Sequence, residues 1–147
     1  MNQEFKLAAQ EHFPALLAMM REFYAGQHMD FSGGVRDALS RLIADPALGR
    51  AYLVGDVQQP MGYFILTFCF SLEFHGRFGL LDELYLRPAF RSKKLGRQVM
   101  TFIESACRDA GVEAVRLEAG QENAIAQSLY RSAGFKTEPR RLMTKWL

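Results

Sequence analysis

The chain has almost no surplus of charge of either sign: 18 Lys and Arg stand against 16 Asp and Glu, leaving a formal net charge of +2. Bulk charge therefore gives no argument for a polyanionic partner, and any anion site has to be local. Cysteine is scarce. Cys69 and Cys107 lie far apart, with no His or Cys neighbours at zinc spacing. They read as two buried thiols, and no metal is expected. The same scarcity fits a reducing compartment. No apolar run reaches transmembrane length, and Met1 to Gln10 has no apolar signal core, so the expectation is a cytoplasmic protein with no membrane partner. Repeats, low-complexity tracts and linkers are missing as well. What remains is 147 residues, 49% apolar and 23% charged, which predicts one soluble domain over 1–147 with a core large enough to need no disulfide.

The order of elements follows from periodicity. Phe5 to Ala8 reads as a short strand. Phe13, Leu16, Leu17, Met20, Phe23 and Tyr24 recur at helical spacing, and Val35 to Ala44 forms a second helix after a loop over Gly26 to Gly34. Ala51 to Val57 and Met61 to Leu72 are strand-like, joined at Gln58-Gln59-Pro60, and Gly79 to Leu86 is a further strand closed by Pro88. Leu95 to Ala110 is a helix with Gly111 as its stop, Ala114 to Ala119 a strand, and Ala124 to Ala133 a helix ended by Gly134. Two last short strands are predicted at Phe135 to Thr137 and Arg141 to Trp146. The pattern β-α-α-β-β-β-α-β-α-β-β mixes antiparallel hairpins with one parallel crossover through the Leu95 helix.

The segment from Leu84 to Arg97 holds most of the chemical signal. A strand ends, a basic loop follows and a helix begins, which is the arrangement that leaves unpartnered N–H groups and the positive end of a helix dipole facing an anion. Arg91, Lys93, Lys94 and Arg97 put four cations there, and Gly96 permits close approach of the backbone. A basic surface loop would look the same on these features alone. The chain has neither G-x-x-x-x-G-K-[ST] nor G-x-G-x-x-G, so kinase-like and dinucleotide readings lose their support.

Leu86-Arg87-Pro88 followed by Arg91-Ser92-Lys93-Lys94-Leu95-Gly96 resembles the signature of the GNAT superfamily of N-acetyltransferases, an aliphatic-x-Pro strand end and then [R/Q]-x-x-G-x-[G/A]. The middle Gly is replaced by Lys94, which ordinary helical or turn angles tolerate. Asn123, Ala126, Tyr130, Gly134 and Phe135 fall in the family's second pattern, so the resemblance covers nearly the whole chain. It implies an α/β (α+β) fold: a mixed, mostly antiparallel twisted sheet of about seven strands flanked by four helices, splayed between the strands ending near Leu86 and Ala119. It also implies transfer of an acetyl group from acetyl-CoA to a primary amine of a small molecule or peptide by direct attack, with no metal.

In that frame the pantetheine arm pairs with backbone near Leu84 and Leu86 and with Asn123 and Ala126. The pyrophosphate lies on Arg91, Ser92, Lys93, Lys94, Leu95, Gly96 and Arg97. Tyr130 is the general acid for the departing thiolate; without the resemblance it reads as a core aromatic. Asp82 is placed as the group acting on the amine, with Glu83 as fallback. Strand alternation sends the two to opposite faces unless a bulge intervenes, and salt bridges to Arg77 or Arg116 are the structural alternative. The acceptor pocket is expected to draw on Tyr24, His28, Phe70, Glu73 and Asp82. Dimers are frequent among members, which suggests a homodimer. A non-catalytic acyl-CoA sensor is the second reading. A nucleic-acid-binding domain is a third, disfavoured by the near-balanced charge and the absence of interleaved exposed aromatics.

Overall fold

Four consecutive residues, Tyr63, Phe64, Ile65 and Leu66, are all buried to within 4% exposure. A strand alternates its side chains, so a run apolar on both sides has to be covered on both faces. The computed structural model, which describes residues 3–147, shows how. Strand β1 (Phe5–Leu7) is followed by helices α1 (Phe13–Gly26) and α2 (Gly33–Ala44), then β2 (Gly49–Val54), β3 (Gly62–Ser71) and β4 (Gly76–Leu86). Helix α3 (Lys93–Asp109), β5 (Val115–Leu117) and α4 (Ala124–Ser132) complete the order. The strands lie in the sheet in sequence order, antiparallel from β1 to β4 and parallel between β4 and β5.

On one face Tyr52, Val54, Phe64, Leu66 and Leu81 pack with Leu95, Val99, Met100, Ile103 and Ala106 of α3. On the other, Ala51, Leu53, Tyr63, Ile65 and Tyr85 pack with Leu16, Leu17, Met19 and Met20 of α1 and Leu39 of α2. The α3 stripe recurs at three- and four-residue spacing and so presents one continuous apolar face. The helix begins at Lys93 because the Ser92 hydroxyl accepts the Leu95 N–H at 3.1 Å, an N-cap three residues before the apolar periodicity starts.

The mixed architecture agrees with the expected class, with four α-helices and, among the described residues, five strands in place of about seven. The strands expected at Phe135 to Thr137 and Arg141 to Trp146 do not form. Pro139 interrupts the segment, and the charged residues Lys136, Glu138, Arg140 and Arg141 fill the stretch that would pair with the sheet. Leu142, Met143 and Trp146 accordingly stay exposed.

Candidate functional site

Strand β4 pairs with β3 along its whole length, but with β5 only at Gly79, Leu80 and Leu81, opposite Val115, Arg116 and Leu117. Beyond these residues the parallel strands separate. The local cause lies in the β3–β4 register: Leu66 faces Leu81 and Ile65 faces Glu83, so Asp82 is an extra residue, a β-bulge. A bulge bends its strand and raises the local twist, which turns β4 away from β5. It also shifts the alternation. Leu81 packs on the α3 side, whereas Glu83, two residues on, bonds to Tyr24 of α1. Asp82 and Glu83 thereby line one cleft, facing Asn123, Ala126 and Tyr130.

Glu83 is held on both oxygens. The Tyr24 hydroxyl donates to Oε2 at 2.6 Å and the Tyr63 hydroxyl to Oε1 at 2.7 Å. Burial pushes the Glu83 carboxyl above the usual range; the two tyrosine bonds pull it back, and the neighbouring Asp82 charge adds to the rise. Both phenols are raised, chiefly by burial and then by Glu83. Asp82 keeps contact with solvent and accepts no hydrogen bond from any described residue, yet the surrounding protein desolvates it enough to raise its pKa. Neither carboxylate is neutralised by the arginines considered from sequence. Arg77 donates to the Ala110 carbonyl at 2.6 Å and lies over Phe68, and Arg116 lies over Phe74 at 5.0 Å.

A stability prediction follows from Asp82. Its raised pKa means that the folded chain holds a proton which the unfolded chain releases above a pKa of about 3.9, so stability falls as pH rises through that window. Asp82→Asn is expected to raise the melting temperature at pH 7, with the gain disappearing below about pH 3, where the wild-type carboxyl is protonated in both states. Thermal unfolding of both proteins at the two pH values checks this; an equal gain at both would tie it to packing instead of charge.

The start of α3 only partly matches the expected anion cradle. The Leu95 N–H is taken by the Ser92 hydroxyl and the Gly96 N–H by the Ser92 carbonyl at 3.0 Å. The amides of Lys93 and Lys94 have no partner among the described residues. Lys94 lies within the first helical turn without positive φ, so the backbone does not require the family's Gly there. Gly96 serves packing: a Cβ at this position would come within 3.1 Å of the Leu129 side chain, so the missing side chain lets α3 and α4 approach. Arg91 stays exposed and folds back on the strand end, its Nε donating to the Leu86 carbonyl at 2.7 Å. That bond engages the carbonyl of Leu86, one of the two residues whose backbone was expected near the pantetheine, whereas Leu84 lines the cleft.

Asn123 caps α4, its Oδ1 accepting the Ala126 N–H at 3.1 Å, so its amide nitrogen is the group left for a ligand. Gln127 pins the preceding loop by donating to the carbonyls of Gly120 and Gln121. Tyr130 lines the cleft from α4, with Phe135 edge-on at 6.0 Å. Its hydroxyl bonds no described residue, and burial raises its pKa, keeping the phenol protonated at neutral pH.

Of the expected acceptor residues only Asp82 lines this cleft; Tyr24 reaches it through its bond to Glu83, and the other three lie elsewhere. Phe70 is 74% exposed and paired with Arg77 toward the tip of the β3–β4 hairpin. Glu73, in the turn at that tip, forms an ion pair with Arg140 at 3.0 Å. His28 follows the end of α1 in the left-handed region at φ 54°, and it is Phe23 and Gln27 of that end that line the cleft. Tyr63 was not singled out from sequence, because a tyrosine inside an apolar strand looks like core; its hydroxyl partner exists only across the strands. Glu118 also lines the cleft unforeseen. Among the described residues no cluster of His, Cys, Asp or Glu is arranged to hold a metal, and no helix is long and apolar enough to cross a membrane.

Comparison with known proteins now adds to this geometry. The family profile described as "Acetyltransferase (GNAT) family" matches residues 14–135. An IAA acetyltransferase of Azospirillum brasilense is 32% identical over 65 residues, which span 44% of this chain and 42% of that protein, less than half its length. An integron cassette protein from the mobile metagenome of Cole Harbour Salt Marsh superposes with a TM-score of 0.84 at 30% identity, covering 97% of this chain and 90% of its own. AAC(6')-Iy, in complex with the bisubstrate analogue CoA-S-monomethyl-acetylneamine, superposes with a TM-score of 0.81 at 12% identity, covering 100% and 99%; at that identity the likeness is one of fold.

Proposed function

The chain belongs to the GNAT family of acetyltransferases, its domain being that of an acyltransferase, and on that footing we propose that it moves an acetyl group from acetyl-CoA to a primary amine by direct attack. The observation that carries this reading is the split between β4 and β5, with two carboxylates on one wall and an unpartnered phenol on the other. The fold shared with AAC(6')-Iy, whose structure is a complex with the bisubstrate analogue CoA-S-monomethyl-acetylneamine, is consistent with it.

Acetyl-CoA would supply the activated thioester. The residues present fit such a molecule: the free amides of Lys93 and Lys94, with their side chains and that of Arg97, suit its pyrophosphate. The open edge of β4 at Leu84 and the side-chain amide of Asn123 suit its pantetheine arm. Asp82, unpartnered in the cleft, attracts a cationic amine, and the two carboxylates provide the acceptor for its proton. Tyr130 holds a proton at its phenol oxygen for the departing sulfur.

Calorimetry with acetyl-CoA, followed by a free-thiol assay across polyamines, aminoglycosides, amino acids and peptide N-termini, tests the proposal. Cofactor binding and thiol release with at least one amine are expected. Binding without thiol release from any amine would favour the non-catalytic sensor, and no binding at millimolar cofactor would remove both readings.

A further inference from the structure

One polar cluster joins three elements beneath the cleft. Tyr24 comes from the last turns of α1, Tyr63 from β3 and Glu83 from β4, and the two hydroxyls approach separate carboxylate oxygens at 2.6 and 2.7 Å. Tyr63 is fully buried, so its ring is fixed by the core, and Tyr24 is braced edge-on by Phe23 at 5.8 Å and Phe31 at 5.5 Å. A carboxylate receiving one donor on each oxygen cannot rotate without losing both bonds. Each oxygen nevertheless has a second lone pair, so capacity remains toward the cleft.

We infer that Tyr63 and Tyr24 are positioning residues that hold Glu83 oriented and ionised as the proton acceptor for the incoming ammonium. The assignment rests on the acetyl-transfer reading above and sharpens it, since it separates the adjacent carboxylates. Glu83 is fixed and takes the proton; Asp82, on the bulge without a hydrogen-bond partner, receives the positive charge of the amine. The ammonium nitrogen loses one proton, a carboxylate oxygen of Glu83 gains it directly or through one water, and the carboxyl returns it to solvent after turnover. Other titratable groups around this position are Asp82 beside it on β4, Tyr85 further along the same strand, and Glu118 and Tyr130 across the cleft. No cation among the described residues pairs with Glu83, so the phenols are what favour its ionised form.

The test is a carbon-13 NMR titration of the protein labelled at the glutamate side-chain carboxyl, with the Glu83 signal identified by its loss in Glu83→Gln. Tyr63→Phe and Tyr24→Phe remove only the hydroxyls, and each is expected to raise the Glu83 midpoint by about 1 pH unit, the worth of a hydrogen bond to a charged group. Tyr85→Phe, whose hydroxyl bonds Glu22 instead, is expected to leave it in place. An unmoved midpoint in both Tyr63→Phe and Tyr24→Phe would overturn the inference, as the rings would then serve packing alone. If one variant fails to fold, the other decides. Where an amine supports turnover, the acid limb of kcat/KM is expected to move with the NMR midpoint; a limb that stays put would overturn the role of Glu83 as acceptor. Absence of turnover with every amine would count against acetyl transfer, while the titration still decides the clamp.

Discussion

Tyr130→Phe is expected to lower kcat by about 100-fold, the usual loss when a positioned general acid is removed, while the calorimetric affinity for acetyl-CoA changes little. The substitution deletes one oxygen and keeps the ring, so the edge contact with Phe135 and the closure of α4 by the bond from the Phe135 N–H to the Tyr130 carbonyl persist. The phenol is suited to this task because burial holds it in the protonated form and no described residue competes for its hydroxyl. Steady-state thiol release with the best amine from the panel measures the effect, and an unchanged melting temperature separates it from unfolding. Turnover equal to wild type would return Tyr130 to a packing role.

The second large effect is on stability. Phe64 is fully buried on the central strand β3, stacked on Tyr52 at 4.9 Å and approached by Phe102 of α3 at 6.1 Å. It also lies opposite Leu84, so the filling of its site supports the stretch of β4 that forms the cleft. Phe64→Ala is expected to cost about 3–5 kcal/mol, through lost burial and the cavity left behind. For a domain of this length that corresponds to a fall in melting temperature of roughly 10–20 °C. Phe70→Ala, on the same strand but 74% exposed, serves as control and is expected to stay within about 0.5 kcal/mol of wild type. Similar losses at both positions would contradict the division of β3 into a buried central part and a free end.

Much of the fold was legible because it is written in local periodicity. The α3 stripe through Val99, Ile103 and Ala106, the stop at Gly111 and the turn at Gly134, with φ of 76° and 95°, are short-range signals that tertiary packing leaves in place. The tail was misread because Arg141 to Trp146 has strand-forming residues but no face that the sheet covers. A strand needs a partner as well as propensity, and propensity is all that a segment displays by itself. Gly96 carried a second kind of ambiguity. Its place in the signature pointed to a phosphate, yet the atoms it makes room for are those of Leu129, thirty-three positions later.

The candidate site was legible as a set of residues and not as an arrangement. Asp82, Glu83, Asn123, Ala126 and Tyr130 were all singled out by the family resemblance, and all five line the cleft. Which way the two carboxylates point was open, because alternation separates neighbours and only the register against β3 reveals the extra residue. The partners of Glu83 lie 59 and 20 positions away, beyond any local pattern. The sequence by itself determined the elements as far as α4, their order and the basic turn before α3, since those depend on near neighbours along the chain. The tertiary structure alone decided the bulge at Asp82, the split between β4 and β5, and the two hydroxyls on Glu83, since each is a relation between strands and helices that meet only when the chain has folded.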